Sequence, residues 1–218
     1  MWLWDDRLET ITQAIVEGRM MWASVRDALS ILLGGNLGEI LFTIGGGILG
    51  GADVLNARQL LLVNLLTDML AALAVAVRRP PGITLEALLA EGPEASLGAA
   101  LTRDVYLRAA VTAAAATAAW LLARMTGPRS TGSTVALVGL VAAQLGQTMA
   151  VDRRSWLVFG SALASLVALV VIVQTPVLSQ LFGCRPLGPR GWTIGLGAAL
   201  GGTAAAVVLP RMLARRAR

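Results

Sequence analysis

Six long apolar runs with short polar breaks organise the chain: residues 28–50, 59–77, 105–123, 133–151, 156–175 and 191–210. Each is close to the ~20 residues that cross a ~30 Å hydrocarbon core as an α-helix. The pattern predicts an all-α fold, a polytopic membrane bundle of six transmembrane helices. Ahead of it, MWLWDDRLETITQAIVEGR is patterned differently. Leu8, Ile11 and Ile15 fall on one helical stripe, and Asp6 with Glu9 three residues later makes a capping box. This segment has acids where a secretory signal needs bases, and it reads as a cytosolic amphipathic helix. The organisation expected is a helical stalk over residues 1–27, the membrane domain over 28–210 and a basic cytosolic tail over 211–218. RRPPG at 78–82 stops the second membrane helix and opens the longest connection, residues 78–104. No internal repeat is visible, and the Ala-rich runs at 109–119 and 204–206 read as close-packing helix faces.

Composition agrees with a membrane location. Of 218 residues, 56% are hydrophobic and only 14% charged, where an ordinary soluble domain has about 25% charged residues. Mean hydropathy is +0.71 and the isoelectric point near 11.1. All 18 basic residues are arginines scattered in ones and twos, with no basic face and no interleaved aromatics, which argues against a nucleic-acid partner. An even number of spans puts both ends on one side, and 13 arginines lie on that side against 5 on the other. Positive charge accumulates on the inner face, so the reading is a multi-pass protein of the cell membrane with both termini cytoplasmic. Trp22, Trp120, Trp156 and Trp192 sit near span ends, as an aromatic belt would place them.

What is missing excludes chemistry. The chain has no histidine and no lysine. Histidine bases, histidine metal ligands, phosphate-cradling lysines and Schiff-base lysines are therefore ruled out for these residues. One cysteine, Cys184, permits neither an internal disulfide nor a thiolate metal motif. It reads as an idle thiol in an outward loop, open to an impermeant thiol reagent.

Two of the apolar runs carry polar exceptions. In ALSILLGGNLGEILFTIGGGILGG, Asn36 and Glu39 stand three apart, on one helical face. In QLLLVNLLTDMLAALAVAV, Asn64, Thr67 and Asp68 stand at i, i+3 and i+4, again on one face. A carboxylate at bilayer depth costs about 2.5–3.5 kcal/mol even on lenient insertion scales, so it faces a partner, a cavity or an ion. Set opposite each other, the two faces offer amide, hydroxyl and carboxylate oxygens only. That hard ligand set suits Ca²⁺, Mg²⁺ or Mn²⁺ and disfavours copper or zinc. Gly34, Gly35 and Gly38 would let helices approach or locally unwind. The competing account is that these residues are interhelical hydrogen-bond glue around protonated carboxyls.

EGRMMWASVRDALSILLGGNLGEI followed by QLLLVNLLTDMLA resembles the fifth and sixth transmembrane helices of the calcium-type P-type cation-transporting ATPases. The resemblance runs from DDRLETITQAIVEGR, similar to the segment leaving the family's phosphorylation domain, to Arg218, and so covers nearly the whole chain. STVALVGLVAAQLGQTMAVDRRS resembles the eighth helix, and LSQLFGCRPLGPRGW the loop between the ninth and tenth. The chain thus looks like the family's carboxy-terminal region, helices five to ten. The resemblance implies that Asn36, Glu39, Asn64, Thr67 and Asp68 bind a transported divalent cation, with Gln144 on the eighth helix as a sixth candidate.

Departures from the family pattern modify these expectations. Gln144 stands about where the animal reticulum pumps have a ligand glutamate, which favours one ion site over two. After Asp68 the family has Gly and then Pro, where this chain has Met69, Leu70 and Ala71, so the family's broken sixth helix is less expected here. The Pro-Glu fourth helix, the aspartyl-phosphate motif and the nucleotide and actuator domains do not occur in these residues. The expected function is the membrane half of such a pump, with no ATP site and no ATPase activity of its own. It would work with membrane lipid around it and a separately encoded amino-terminal half as partner. A stand-alone channel or secondary carrier, a purely structural membrane protein and a non-functional remnant are the alternatives.

Overall fold

The computed structural model describes residues 8–50, 54–77 and 98–216, with the side chains of 8–13, 99–100 and 209–216 left outside the description. The capping box at Asp6, the RRPPG stop and most of the 78–104 connection lie outside these residues. Among the described residues there is helix and no strand. Helix α1 (Leu8–Gly50) is followed by α2 (Ala57–Val77), α3 (Ala99–Thr126), α4 (Gly132–Val151), α5 (Trp156–Gln174), the short α6 (Pro176–Leu181) and α7 (Pro189–Arg216). Six of these, all but α6, are long and apolar enough to cross a membrane.

The spans agree with the sequence pattern except at their ends. α1 is a single helix of 43 residues, about 64 Å long at 1.5 Å per residue, so the expected stalk and first span are continuous. The stripe expected to need a soluble partner is described only at Ile15, which is half exposed. α3 begins six residues before the predicted start, which places Arg108 well inside a helix. α7 runs through Pro210 to Arg216. Of the tryptophans expected in a lipid belt, Trp156 is open on α5, but Trp120 is buried with the Arg124 guanidinium 4.5 Å from its ring centroid.

Helix α4 is the centre of the bundle. Every residue from Thr134 to Leu145 is buried, as suits a helix that is apolar all round. It packs on α3, α5 and α7, and α3 in turn lies along α1. Lipid tails are as apolar as leucine, so close packing rather than hydrophobic transfer holds such helices together. Small residues make it possible. A Cβ at Gly34 would lie 2.7 Å from Arg108 Cβ, and one at Gly38 would lie 2.8 Å from Thr112 Cβ, so only glycine allows α1 this close to α3. Gly34 and Gly38 therefore serve helix approach, and α1 does not unwind at them.

Helix α2 lies between α1 and α5. Its N-terminal end starts with a capping box in which Asn56 Oδ1 accepts from Gln59 N at 2.8 Å and Gln59 Oε1 accepts from Asn56 N at 3.1 Å. The loop after α6 docks there. Arg58 donates to Leu181 O at 3.0 Å, Asn56 Nδ2 to Phe182 O at 3.4 Å and Gln59 Nε2 to Gly183 O at 3.3 Å. The turn needs Gly183 at φ +66°, a conformation that disfavours side chains.

Cys184 belongs to this docked loop and is only 5% exposed, contrary to the open thiol expected from the sequence. Burial raises its pKa above the ordinary thiol value, while Gln59 Nε2, 3.7 Å from the sulfur, works the other way.

Candidate cation site

The middle of α2 departs from the α-helix. Residues Leu65–Ala72 are wound as a π-helix between two α-helical pieces, Ala57–Asn64 and Leu73–Val77. The helix is not broken, in keeping with Met69, Leu70 and Ala71 in place of Gly and Pro, but it is widened over the segment that carries Thr67 and Asp68. Such π segments occur frequently at functional sites. Hydroxyls brace it: Thr67 Oγ1 donates to Val63 O at 2.9 Å, and Ser165 Oγ on α5 donates to Leu66 O at 2.7 Å.

Helices α1 and α2 pack together along the π segment and beyond it toward Val77, and diverge along Ala57–Asn64. A cavity of about 570 Å³ opens where they part, lined by Asn36, Glu39, Ile40, Thr43 and Ile44 from α1 and by Leu60, Asn64 and Asp68 from α2. Four of the five residues singled out in the sequence therefore meet in one cavity. Glu39 is buried, and its Oε1 accepts from Gln144 Nε2 at 3.0 Å. The same nitrogen is 3.3 Å from Gly35 O, so Gln144 straps α4 to α1 and holds the Glu39 carboxylate. Asn36 donates toward the Asp68 carboxylate, and Asp68 and Glu39 are near enough to repel each other when both are charged. A cation between them would relieve that repulsion.

Two placements differ from the sequence expectation. Thr67 is buried off the cavity, with its hydroxyl 3.1 Å from Asp68 Oδ1, so it orients Asp68 rather than facing the opening. Gln144 is likewise a support for Glu39 and does not line the cavity. Thr43, which sequence reasoning passed over, does line it. The signal was present: Asn36, Glu39 and Thr43 follow the i, i+3, i+7 spacing of one helical face. Asn64 Oδ1 and Thr43 Oγ1 are both buried without a hydrogen-bond partner. Only two carboxylates converge, and no cluster of three or more His, Cys, Asp or Glu side chains occurs among the described residues.

Six helices long and apolar enough to cross a membrane, with a two-carboxylate cavity between the first two, define a multi-pass membrane protein. The family model described as "Cation transporting ATPase, C-terminus" matches residues 53–210, and the chain belongs to that family as its C-terminal membrane region. It is 46% identical over 230 residues to the "Probable cation-transporting ATPase I" of Mycobacterium leprae, and 47% identical over 231 residues to the protein of that name in Mycobacterium tuberculosis (strain CDC 1551 / Oshkosh). Each match covers 97% of this chain and 14% of the relative's own length. A "Calcium-transporting ATPase" of Bacillus subtilis is 28% identical over 205 residues, covering 88% of this chain and 23% of that protein. The chain thus spans between about a seventh and a quarter of the length of these relatives.

Proposed function

We propose that this chain supplies part of the binding site for a hard divalent cation, Ca²⁺, Mg²⁺ or Mn²⁺, carried as transported substrate by a P-type ATPase. The observation that carries the reading is the convergence of Glu39 and Asp68 with the Asn36 and Asn64 amides on one cavity between α1 and α2. Two carboxylates and neutral oxygens, with no nitrogen or sulfur ligand available, match what a hard cation takes. The calcium-transporting relatives favour Ca²⁺ first among the three.

In this reading, ATP binding and phosphorylation belong to the remainder of the pump, joined to this chain or provided as a separate half. The cavity is open along its α1–α2 side, and apolar residues such as Ile44, Leu61 and Met69 are exposed beside it. A further helix of the pump packs there and closes the site. The long α1 transmits motion from the cytosolic parts to Glu39, because the residues of one unbroken helix move together. Both termini lie in the cytoplasm in this reading, which the arginine asymmetry supports. Reporter fusions at Arg218 test the orientation: activity of a reporter that works only outside the cytoplasm overturns it.

Calorimetry on the full chain in lipid nanodiscs, titrated with Ca²⁺, Mg²⁺ and Mn²⁺, tests the binding. Saturable uptake of a divalent ion by the wild type, weakened in Asp68→Asn and Glu39→Gln, is the expected result. No uptake, or equal uptake by all three proteins, leaves hydrogen-bond glue as the account of these residues.

A further inference from the structure

We infer that Thr43 is a ligand of the cation site, its hydroxyl oxygen acting with Asn64 Oδ1 as a neutral pair beside the two carboxylates. The inference rests on the cation reading above and adds to it a residue that neither the family resemblance nor the ligand motifs select.

The first support is how the other helical threonines behave. A threonine inside a helix ordinarily returns its hydroxyl to the carbonyl four residues earlier. Thr67, Thr117, Thr126 and Thr148 all do so, at 2.9, 2.7, 2.6 and 3.0 Å. Two buried threonines that do not are engaged by other groups: Thr112 accepts from Gln147 and Thr134 from Arg185 N. Thr43 does neither. Its oxygen is buried with no partner, although the Glu39 carbonyl stands at the usual position one turn back.

The second support is the company it keeps. Among the described residues the other buried side-chain oxygen or nitrogen without a partner is Asn64 Oδ1, and both residues line the same cavity. Buried polar groups are nearly always satisfied, so each orphan calls for an explanation, and two on one cavity call for a common one. α1 and α2 run in opposite directions, so with Asn36 beside Asp68 the rise of the two helices puts Asn64 about level with Glu39, and Thr43 one turn beyond Glu39. The neutral oxygens of Asn64 and Thr43 thus follow the carboxylates along the cavity, with Ile44 and Leu60 beside them. A hard cation takes six to eight oxygens. Thr67 is turned away from the cavity, so Asn64 and Thr43 supply oxygens that the two carboxylates lack.

Thr43→Val keeps the shape and removes the oxygen, whereas Thr43→Ser keeps the oxygen. With the full chain in nanodiscs and Ca²⁺ as probe, Thr43→Val is expected to weaken binding roughly tenfold or more, and Thr43→Ser to stay within about threefold of wild type. Thermal unfolding without cation serves as the second measurement. Thr43→Val should unfold no earlier than wild type, because no hydrogen bond is lost, and should lose most of the Ca²⁺-induced rise in unfolding temperature. Wild-type binding by Thr43→Val, alongside weakened binding in Asp68→Asn, overturns the Thr43 assignment and leaves the cation reading standing. Absence of binding in the wild type overturns both.

Discussion

At the N-terminal end of α2, Asn56 and Gln59 are tied to each other, and with Arg58 they hold the carbonyls of Leu181, Phe182 and Gly183. About two turns along the same helix, Asn64 Oδ1 has no partner, and the backbone from Leu65 to Ala72 is wound as a π-helix. One helix thus has a closed end and an open middle. In a low-dielectric interior an unpaired polar group is costly, roughly 1–3 kcal/mol. The closed end is what structure alone requires. The open middle retains that cost, which makes sense where a ligand is to be received.

The largest expected effect lies in the open region. Asp68→Asn and Glu39→Gln each remove a formal charge from a hard-cation site, and should weaken divalent binding by more than the roughly 10–100-fold that loss of an outer-shell partner brings. Competition for ⁴⁵Ca²⁺ measures it, and an unchanged affinity in either variant breaks the contrast from the functional side.

The closed end should answer in stability instead. Gln59 is fully buried, and Gln59→Leu leaves Gly183 O and Asn56 N without their partners. A loss of about 1–3 kcal/mol is expected, read as a lower unfolding temperature, with Ca²⁺ affinity nearly unchanged. A smaller effect with the opposite division is expected at Asn64→Ala: binding weaker by less than in Asp68→Asn, and no loss of stability from the Oδ1 acceptor, which had no bond to lose. Should Asn64→Ala destabilise as much as Gln59→Leu, the two regions are built alike and the distinction fails.

The smallest effect concerns Cys184. Its burial and raised pKa keep little reactive thiolate at neutral pH, and the fraction grows as pH rises. An impermeant thiol reagent should label it slowly in the folded protein and rapidly once denaturant opens the loop. Rapid labelling of the native protein would show the docked loop to be loose.

Membrane helices are long, uniformly apolar and bounded by charge, so lipid as solvent imposes a pattern that can be read directly in the chain. The six spans and the shared faces of Asn36 with Glu39 and of Asn64, Thr67 and Asp68 were legible for that reason. So was membership of the cation-transporting ATPases, because the two polar motifs sit at membrane depth in the right order. Helix ends were less legible: the apolar pattern did not extend α3 back to Ala99 or carry α7 through Pro210. Tertiary packing alone decided which oxygens face the opening. Periodicity assigns a residue to a face, but the width of that face leaves its side chain free to meet either a neighbour or a cavity. Thr67 was drawn away by the Val63 carbonyl and Asp68, Gln144 was committed to Glu39 and Gly35, and Cys184 was buried in the loop that Asn56, Arg58 and Gln59 dock against α2. Thr43 was left at the cavity by the divergence of α1 from α2, a relation between two helices that neither run of sequence contains.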